Sequence, residues 1–210
     1  NTTGQKNTAV GGNAMFDNTT GSYNTSIGHE ALANNTTASY NTGVGRYALY
    51  ANTTGTYNTA IGYRALDAGT TANWGTAIGY DSLTNNTGTE NTAGGSQALY
   101  KSTTANNNTA FGYAPLYENT TGADNTAFGH SALQKNTTGS RNTAMGSGAL
   151  DLLAGSANNN VSIGFDSNSA RTAGNDNVAV GAYCMNATAT ASNNTAVGKS
   201  AMHDLTSGYN

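Results

Sequence analysis

The sequence predicts an all-β fold, a parallel β-solenoid of about twelve 17-residue coils, and three observations predict it. The first is a motif, Asn-Thr-Ala-(Val/Ile/Phe)-Gly, met as Asn7-Thr8-Ala9-Val10-Gly11 and then eleven more times with small changes. The second is its period. The motif glycines are Gly11, Gly28, Gly45, Gly62, Gly79, Gly95, Gly112, Gly129, Gly146, Gly164, Gly181 and Gly198, and the steps between them are 17 residues apart from one of 16 and one of 18. The third is a recurrent close, Asn-Thr-Thr-Gly, as at Asn18 to Gly21 and Asn119 to Gly122. A period this constant over the whole length means one supersecondary unit stacked on itself, so that each unit touches only its neighbours.

Aligned on the glycine, the units become columns. After the Asn comes Thr in ten units and Val at Val161 and Val178, which suits a strand. Next comes a residue that is always small: Ala9, Ser26, Gly43, Ala60, Ala77, Ala93, Ala110, Ala127 and Ala144 in the first nine units. A large apolar residue follows (Val10, Ile27, Val44, Ile61, Ile78, Phe111, Phe128, Met145), with Gly94 the one gap. Alternation at period two puts the Thr and Ile columns on one face of a short strand and the small column on the other. Two variable positions then lead to Ala-Leu, as in Ala31-Leu32 and Ala98-Leu99, which reads as a second short strand. Asn and Gly in the closing segment supply the conformations of a tight corner. The Asn-x-Thr sequons in that segment are explained by the same turn chemistry.

Coils pairing at about 4.8 Å give a rod of roughly 58 Å. A coil this narrow has room inside for little beyond Ile and Leu, so it looks underfilled as a single chain. The all-small column is the surface on which another chain could pack closely. Oligomerisation, most simply a homotrimer about an axis parallel to the rod, is the resulting expectation.

Composition narrows the function. Only 9% of residues are charged and the net charge is -3, so no basic surface gathers phosphates and nucleic acid is not an expected partner. There is one proline, Pro115, against the proline and charge richness of disordered chains. The single cysteine, Cys184, excludes an intrachain disulfide and reads as a small buried residue of the Ala column. No apolar run reaches the length of a membrane span, so no membrane insertion is expected in this segment. Asn1-Thr2-Thr3-Gly4 matches the second half of a unit and Tyr209-Asn210 the start of another, so a piece of a longer chain is expected.

Asn177-Val178-Ala179-Val180-Gly181, Asn160-Val161-Ser162-Ile163-Gly164 and their Asn-Thr-Ala-Ile-Gly relatives resemble the head repeats of trimeric autotransporter adhesins and the similar repeats of phage tail fibres. The likeness runs the full chain in phase. It implies a left-handed parallel β-roll, trimeric, extracellular and engaged in attachment to a cell surface. Thr stands where the adhesin repeat usually has Val, and the Asn-Thr-Thr-Gly connection is longer. The tidy 17-residue form is closer to the fibre version. A phage tail fibre segment on the virion is therefore the leading expectation, with other fibre or baseplate proteins as partners, and a bacterial adhesin head on the outer surface is the alternative.

Two sets of residues are candidates for contact. Before the Asn run Tyr23, Tyr40, Tyr57 and Trp74 in consecutive coils, a stripe on which sugar rings of a surface polysaccharide could stack. After the glycine lies a variable strip that includes His29, Tyr47, Tyr63, Tyr80, Tyr113 and His130. No cofactor or metal is expected, because His29 and His130 share a column but sit six coils apart, roughly 29 Å along the rod. An enzyme is not expected either: Glu90 and Asp124 share a column two coils apart, and no carboxyl pair forms a cleft. A rival of another class is an ice-binding or purely structural surface solenoid, which outward Thr hydroxyls would favour. Residues 1–150 read as regular repeats, 151–175 as an irregular coil with an extra Leu152-Leu153 and with Ser167-Asn168 in place of Ala-Leu, and 176–210 as regular repeats. Gly94 is expected to leave a void and Pro115 to lose a ladder bond.

Overall fold

The computed structural model describes residues 1–170, 173–186 and 190–203, so the expectation for Tyr209-Asn210 lies outside the described residues. Each motif forms one three-residue strand: β1 (Thr8–Val10), β2 (Thr25–Ile27), β3 (Thr42–Val44), β4 (Thr59–Ile61), β5 (Thr76–Ile78), β6 (Thr92–Gly94), β7 (Thr109–Phe111), β8 (Thr126–Phe128), β9 (Thr143–Met145), β10 (Val161–Ile163), β11 (Val178–Val180) and β12 (Thr195–Val197). The twelve pair in sequence order into one parallel sheet, each column in register with itself. Among the described residues this is an all-β solenoid.

Among the described residues the expected second strand is absent. The Leu of Ala-Leu has a left-handed backbone, φ 49 at Leu32 and 53 at Leu99, so the chain turns there instead of running extended. Two more positions per coil do the same, the second after the motif glycine (Glu30, φ 55) and the last of the unit (Tyr40, φ 63). Backbone bonding between coils nevertheless continues round the turns: the Leu32 N–H donates to Ala48 O at 2.9 Å and the Asp17 N–H to Ala33 O at 2.8 Å. Those bonds hold a conformation that L-residues adopt at a cost.

The faces of the strand are the reverse of the expectation. Ala60, Ala77, Ala93, Ala110, Ala127 and Ala144 are fully buried, whereas Ile27, Ile61, Ile78 and Met145 are exposed. Across the coil from the small column lies the chain five residues on. The Ser26 hydroxyl donates to Ala31 O at 2.8 Å, and a Cβ on Gly43 would come within 3.3 Å of Ala48 O. A large side chain has no room there, so Ile turns out and the small residue turns in. The column Ala9, Ser26, Gly43, Ala60, Ala77, Ala93, Ala110, Ala127 and Ala144 is therefore interior packing from Ser26 onward, not a surface for a partner chain; Ala9, in the first coil, is exposed.

Nor is the interior underfilled. Leu32, Leu49, Leu66, Leu83, Leu99, Leu116, Leu133 and Leu150 stack in a column fully closed within the single chain. Beside it run two columns of buried asparagine. Asn24 Nδ2 donates to Ala38 O at 2.9 Å, and its Oδ1 accepts from the Asn41 N–H at 2.9 Å. In the closing segment Asn35 Nδ2 donates to Asn18 Oδ1 at 2.8 Å and to Ala38 O at 3.0 Å. A substantial part of the core is thus a ladder of amides, which is how a polar sequence fills a dry interior with most of its buried groups paired, the Oδ1 atoms of Asn52, Asn136 and Asn194 being exceptions.

The expected defects are also absorbed. The Phe111 ring lies over Gly94, whose Cβ would meet the ring at 2.3 Å, so no void remains. Pro115 forgoes only the short turn bond that Ala48 makes to Gly45 O at 3.3 Å, while its own carbonyl still accepts from the Leu99 N–H at 3.1 Å. In the 18-residue coil Leu153 takes the closing-Asn position, donating its N–H to Leu150 O at 3.1 Å, and Ala157 takes the closing-Gly position, accepting from Asn142 Nδ2 at 2.8 Å. The extra residue is looped out between them, and β9 and β10 pair in register.

The coil of β10 has a polar interior. Ser162, Ser167 and Asn168 are buried where other coils bury Ala, Ala and Leu, and they divide the apolar core into two clusters. Ser162 Oγ donates to Ser167 O at 2.7 Å, but both Asn168 amide atoms are buried without a hydrogen-bond partner. Asn168→Leu restores the column. Relief of the orphaned amide and burial of a Leu outweigh the better tolerance of Asn for a left-handed backbone, and a gain of about 2 kcal/mol is expected in urea unfolding.

Candidate functional site

Three columns of side chains stand on the outer wall. At the corner before the sheet, Tyr23, Tyr40, Tyr57 and Trp74 form one continuous stack, with ring centroids 5.0, 4.8 and 6.0 Å apart and planes within 9°. Their left-handed backbone swings each ring outward in the same direction, and all four are exposed. Stacking hides the ring faces inside the column and presents edges and hydroxyls to solvent. Lys6 caps the first ring, donating from Nζ to the Tyr23 hydroxyl at 2.9 Å.

At the corner after the sheet lies the variable strip. Tyr63 stacks on Tyr80 at 5.5 Å and Tyr113 on His130 at 5.2 Å, while His29 and Tyr63 each meet Tyr47 near edge-on at 6.0 and 6.2 Å. The charge of Asp81 is the first cause that raises the Tyr80 hydroxyl above the ordinary tyrosine range. His29 and His130 lie in separate contacts, and among the described residues no group of three or more His, Cys, Asp or Glu is placed to hold a metal ion. Cys184 is buried with Sγ 3.4 Å from Ala196 O, and burial pushes its thiol up, so it packs rather than reacts. Burial first, and then the neighbouring Asp166, hold the Asp151 carboxyl above the usual range.

The third column, the residue after the Leu, escaped the sequence reading. It runs Phe16, Ala33, Tyr50, Asp67, large and small in turn, beside Asn13, Glu30, Tyr47 and Arg64 of the strip. The alternation cuts two adjoining depressions. One of about 360 Å³ is lined by Glu30, Tyr47, Tyr50, Tyr63, Arg64 and Asp67. The other, of about 140 Å³, is lined by Asn13, Phe16, Glu30, Ala33, Asn34 and Tyr50. Arg64 is fixed there: its Nε donates to Asp67 Oδ2 at 2.5 Å and its Nη1 lies 3.7 Å from Asp81 Oδ1. The Asp67 hydrogen bond is the first cause that raises the guanidinium above its ordinary value.

The outer face of the sheet carries the half-buried Thr column and the exposed large apolar column side by side. Ile61 is 40% exposed and Ile78 43%, and Phe111 and Phe128 stack at 5.3 Å. The Thr side chains thus face outward, against the expectation that they face in.

Fold and wall together define a repeat protein of the parallel β-solenoid class, with a flat apolar face flanked by two aromatic corners. No protein-family description, curated protein or solved structure matches the chain.

Proposed function

We propose that this chain is a rod segment of an extracellular attachment fibre, non-enzymatic, that associates with copies of itself along the outer face of its sheet. The observation that carries the reading is the outward column from Val10 through Ile27, Ile61, Ile78, Phe111, Phe128 and Met145 to Val197, interrupted only at Gly94, which the Phe111 ring covers. A contiguous apolar stripe of this length is more than a lone soluble rod usually exposes. Because an apolar residue recurs in this column at every coil but that of Gly94, copies can pack along the whole rod at once, and a homotrimer about a parallel axis is the simplest closed arrangement. The case for partner chains thus rests on the Ile column and no longer on the small one. The motif likeness favours a phage tail fibre binding a host cell surface over a bacterial adhesin head, with the aromatic corners left free to meet a receptor.

Light scattering tests it. The chain is expected at three times its single-chain mass, and Ile78→Asp together with Phe111→Asp is expected to shift it toward one chain with its circular dichroism unchanged, because both side chains point outward. A wild-type chain that stays single at micromolar concentration would overturn the reading. A second reading, ice binding, is favoured by the outward Thr column, which holds in ten of the twelve coils. The column beside it argues against a lattice match, since it varies from Gly94 to Phe111. Thermal hysteresis measured on the sized sample separates the two.

A further inference from the structure

We infer that the groove on the outer wall of the first four coils binds a neutral oligosaccharide, with Tyr50 as the stacking platform and the Glu30 and Asp67 carboxylates as acceptors for sugar hydroxyls. The inference deepens the attachment half of the proposed function and does not depend on self-association. The two depressions share Glu30 and Tyr50, so they form one trough along the rod. From Phe16 to Asp67 it crosses three coil steps, roughly 14 Å, the span of a few pyranose rings end to end. Its larger part alone, about 360 Å³, is within the size range of small-ligand sites.

The lining is of the kind a sugar uses. Among the described residues Tyr50 meets Tyr47 edge-on at 5.5 Å and stacks on no other ring, whereas Tyr100 and Tyr117 in the same column stack on each other at 5.2 Å. The Tyr50 ring therefore keeps a face for the C–H side of a pyranose. Around it are the Asn13 and Asn34 amides, the Tyr47 hydroxyl held by Arg46 Nη2 at 2.9 Å, and the two carboxylates. Two guanidiniums border the trough, Arg64 paired with Asp67 and Asp81 and Arg46 held on the Tyr47 hydroxyl, and the carboxylates Glu30, Asp67 and Asp81 outnumber them by one. What remains is acidic, which repels uronate or phosphate polymers and suits a polyol that donates hydrogen bonds. A peptide is the poorer fit, since the trough is open and has no deep apolar pocket for a side chain to anchor in.

Isothermal titration of the whole chain with maltohexaose, cellohexaose and chitohexaose, and with a hyaluronan hexasaccharide as the acidic control, tests this. At least one neutral hexasaccharide is expected to bind and the acidic one not to bind. Tyr50→Ala is expected to weaken binding about tenfold and Glu30→Gln several-fold, while Gln134→Ala, further along the same column, leaves it unchanged. Circular dichroism confirms that each variant is folded. No binding of any neutral hexasaccharide, a preference for the acidic one, or equal loss in Gln134→Ala overturns the inference. Retention on bacterial cells, followed in parallel, keeps the two readings apart: cells that retain wild type and Tyr50→Ala equally sink the groove but spare attachment. Tyr50-dependent hexasaccharide binding without retention on any cell spares the groove and sinks attachment.

Discussion

Gly112→Ala is expected to cost about 4 kcal/mol or more and to unravel the rod around β7 and β8, because two penalties coincide. The residue sits at φ 134, where an L side chain is strained, and a Cβ there would come within 2.5 Å of Gly129 O and 2.7 Å of Gly129 C, both backbone. Neither atom can step aside, since the Gly129 N–H is held to Phe111 O at 2.8 Å in the same ladder. Every motif glycine from Gly11 to Gly181 faces the next one in this way, so the column is a line of contact between backbones. Urea unfolding followed by circular dichroism measures the loss. A change under about 1 kcal/mol would show that the turn can shift to admit a methyl group, as an ordinary loop does.

Asn125→Ala is expected to cost about 3 kcal/mol, again by urea unfolding, although it removes no apolar contact of note. Asn125 is fully buried, donates from Nδ2 to Gly139 O at 2.9 Å, and accepts on Oδ1 from the Asn142 N–H at 3.0 Å and from Asn142 Nδ2 at 3.2 Å. Gly139 O keeps a second donor in Asn136 Nδ2, and Asn142 Nδ2 keeps Ala157 O. The Asn142 N–H is left with nothing, in a dry interior, and a cavity the size of an amide opens beside it. Asn125→Asp tests the donor separately. It keeps the acceptor but brings an unneutralised charge to Gly139 O, so it is expected to be at least as damaging at neutral pH.

The two faces of the strand show how far the sequence could be read. Alternation of Thr, Ala and Ile identified each strand, and all twelve formed where the motif placed them. Alternation says that two faces differ, not which of them faces in, and burial by hydrophobicity alone chose wrongly. The Tyr23 to Trp74 stack was legible, because one residue per coil at one coil rise can hardly avoid its neighbour. The trough was not, although its signal was present as Phe16, Ala33, Tyr50 and Asp67. To read large and small in turn as a groove one must know that this column and the one holding Glu30 share a wall. The asparagine ladders were misread for a related reason. Asn in a turn is ordinary chemistry, and only the closed coil shows that its side chain points inward and bonds to the coil above.

The sequence by itself determined the period, the strand within each period and the in-phase stacking, because each follows from a residue type returning at a constant distance along the chain. The tertiary structure alone decided which way those columns face. Left-handed turns at positions such as Leu32 bring the chain back across a gap only one small side chain deep, so the space inside the coil, and not the polarity of the residue, sent alanine and asparagine in and isoleucine out.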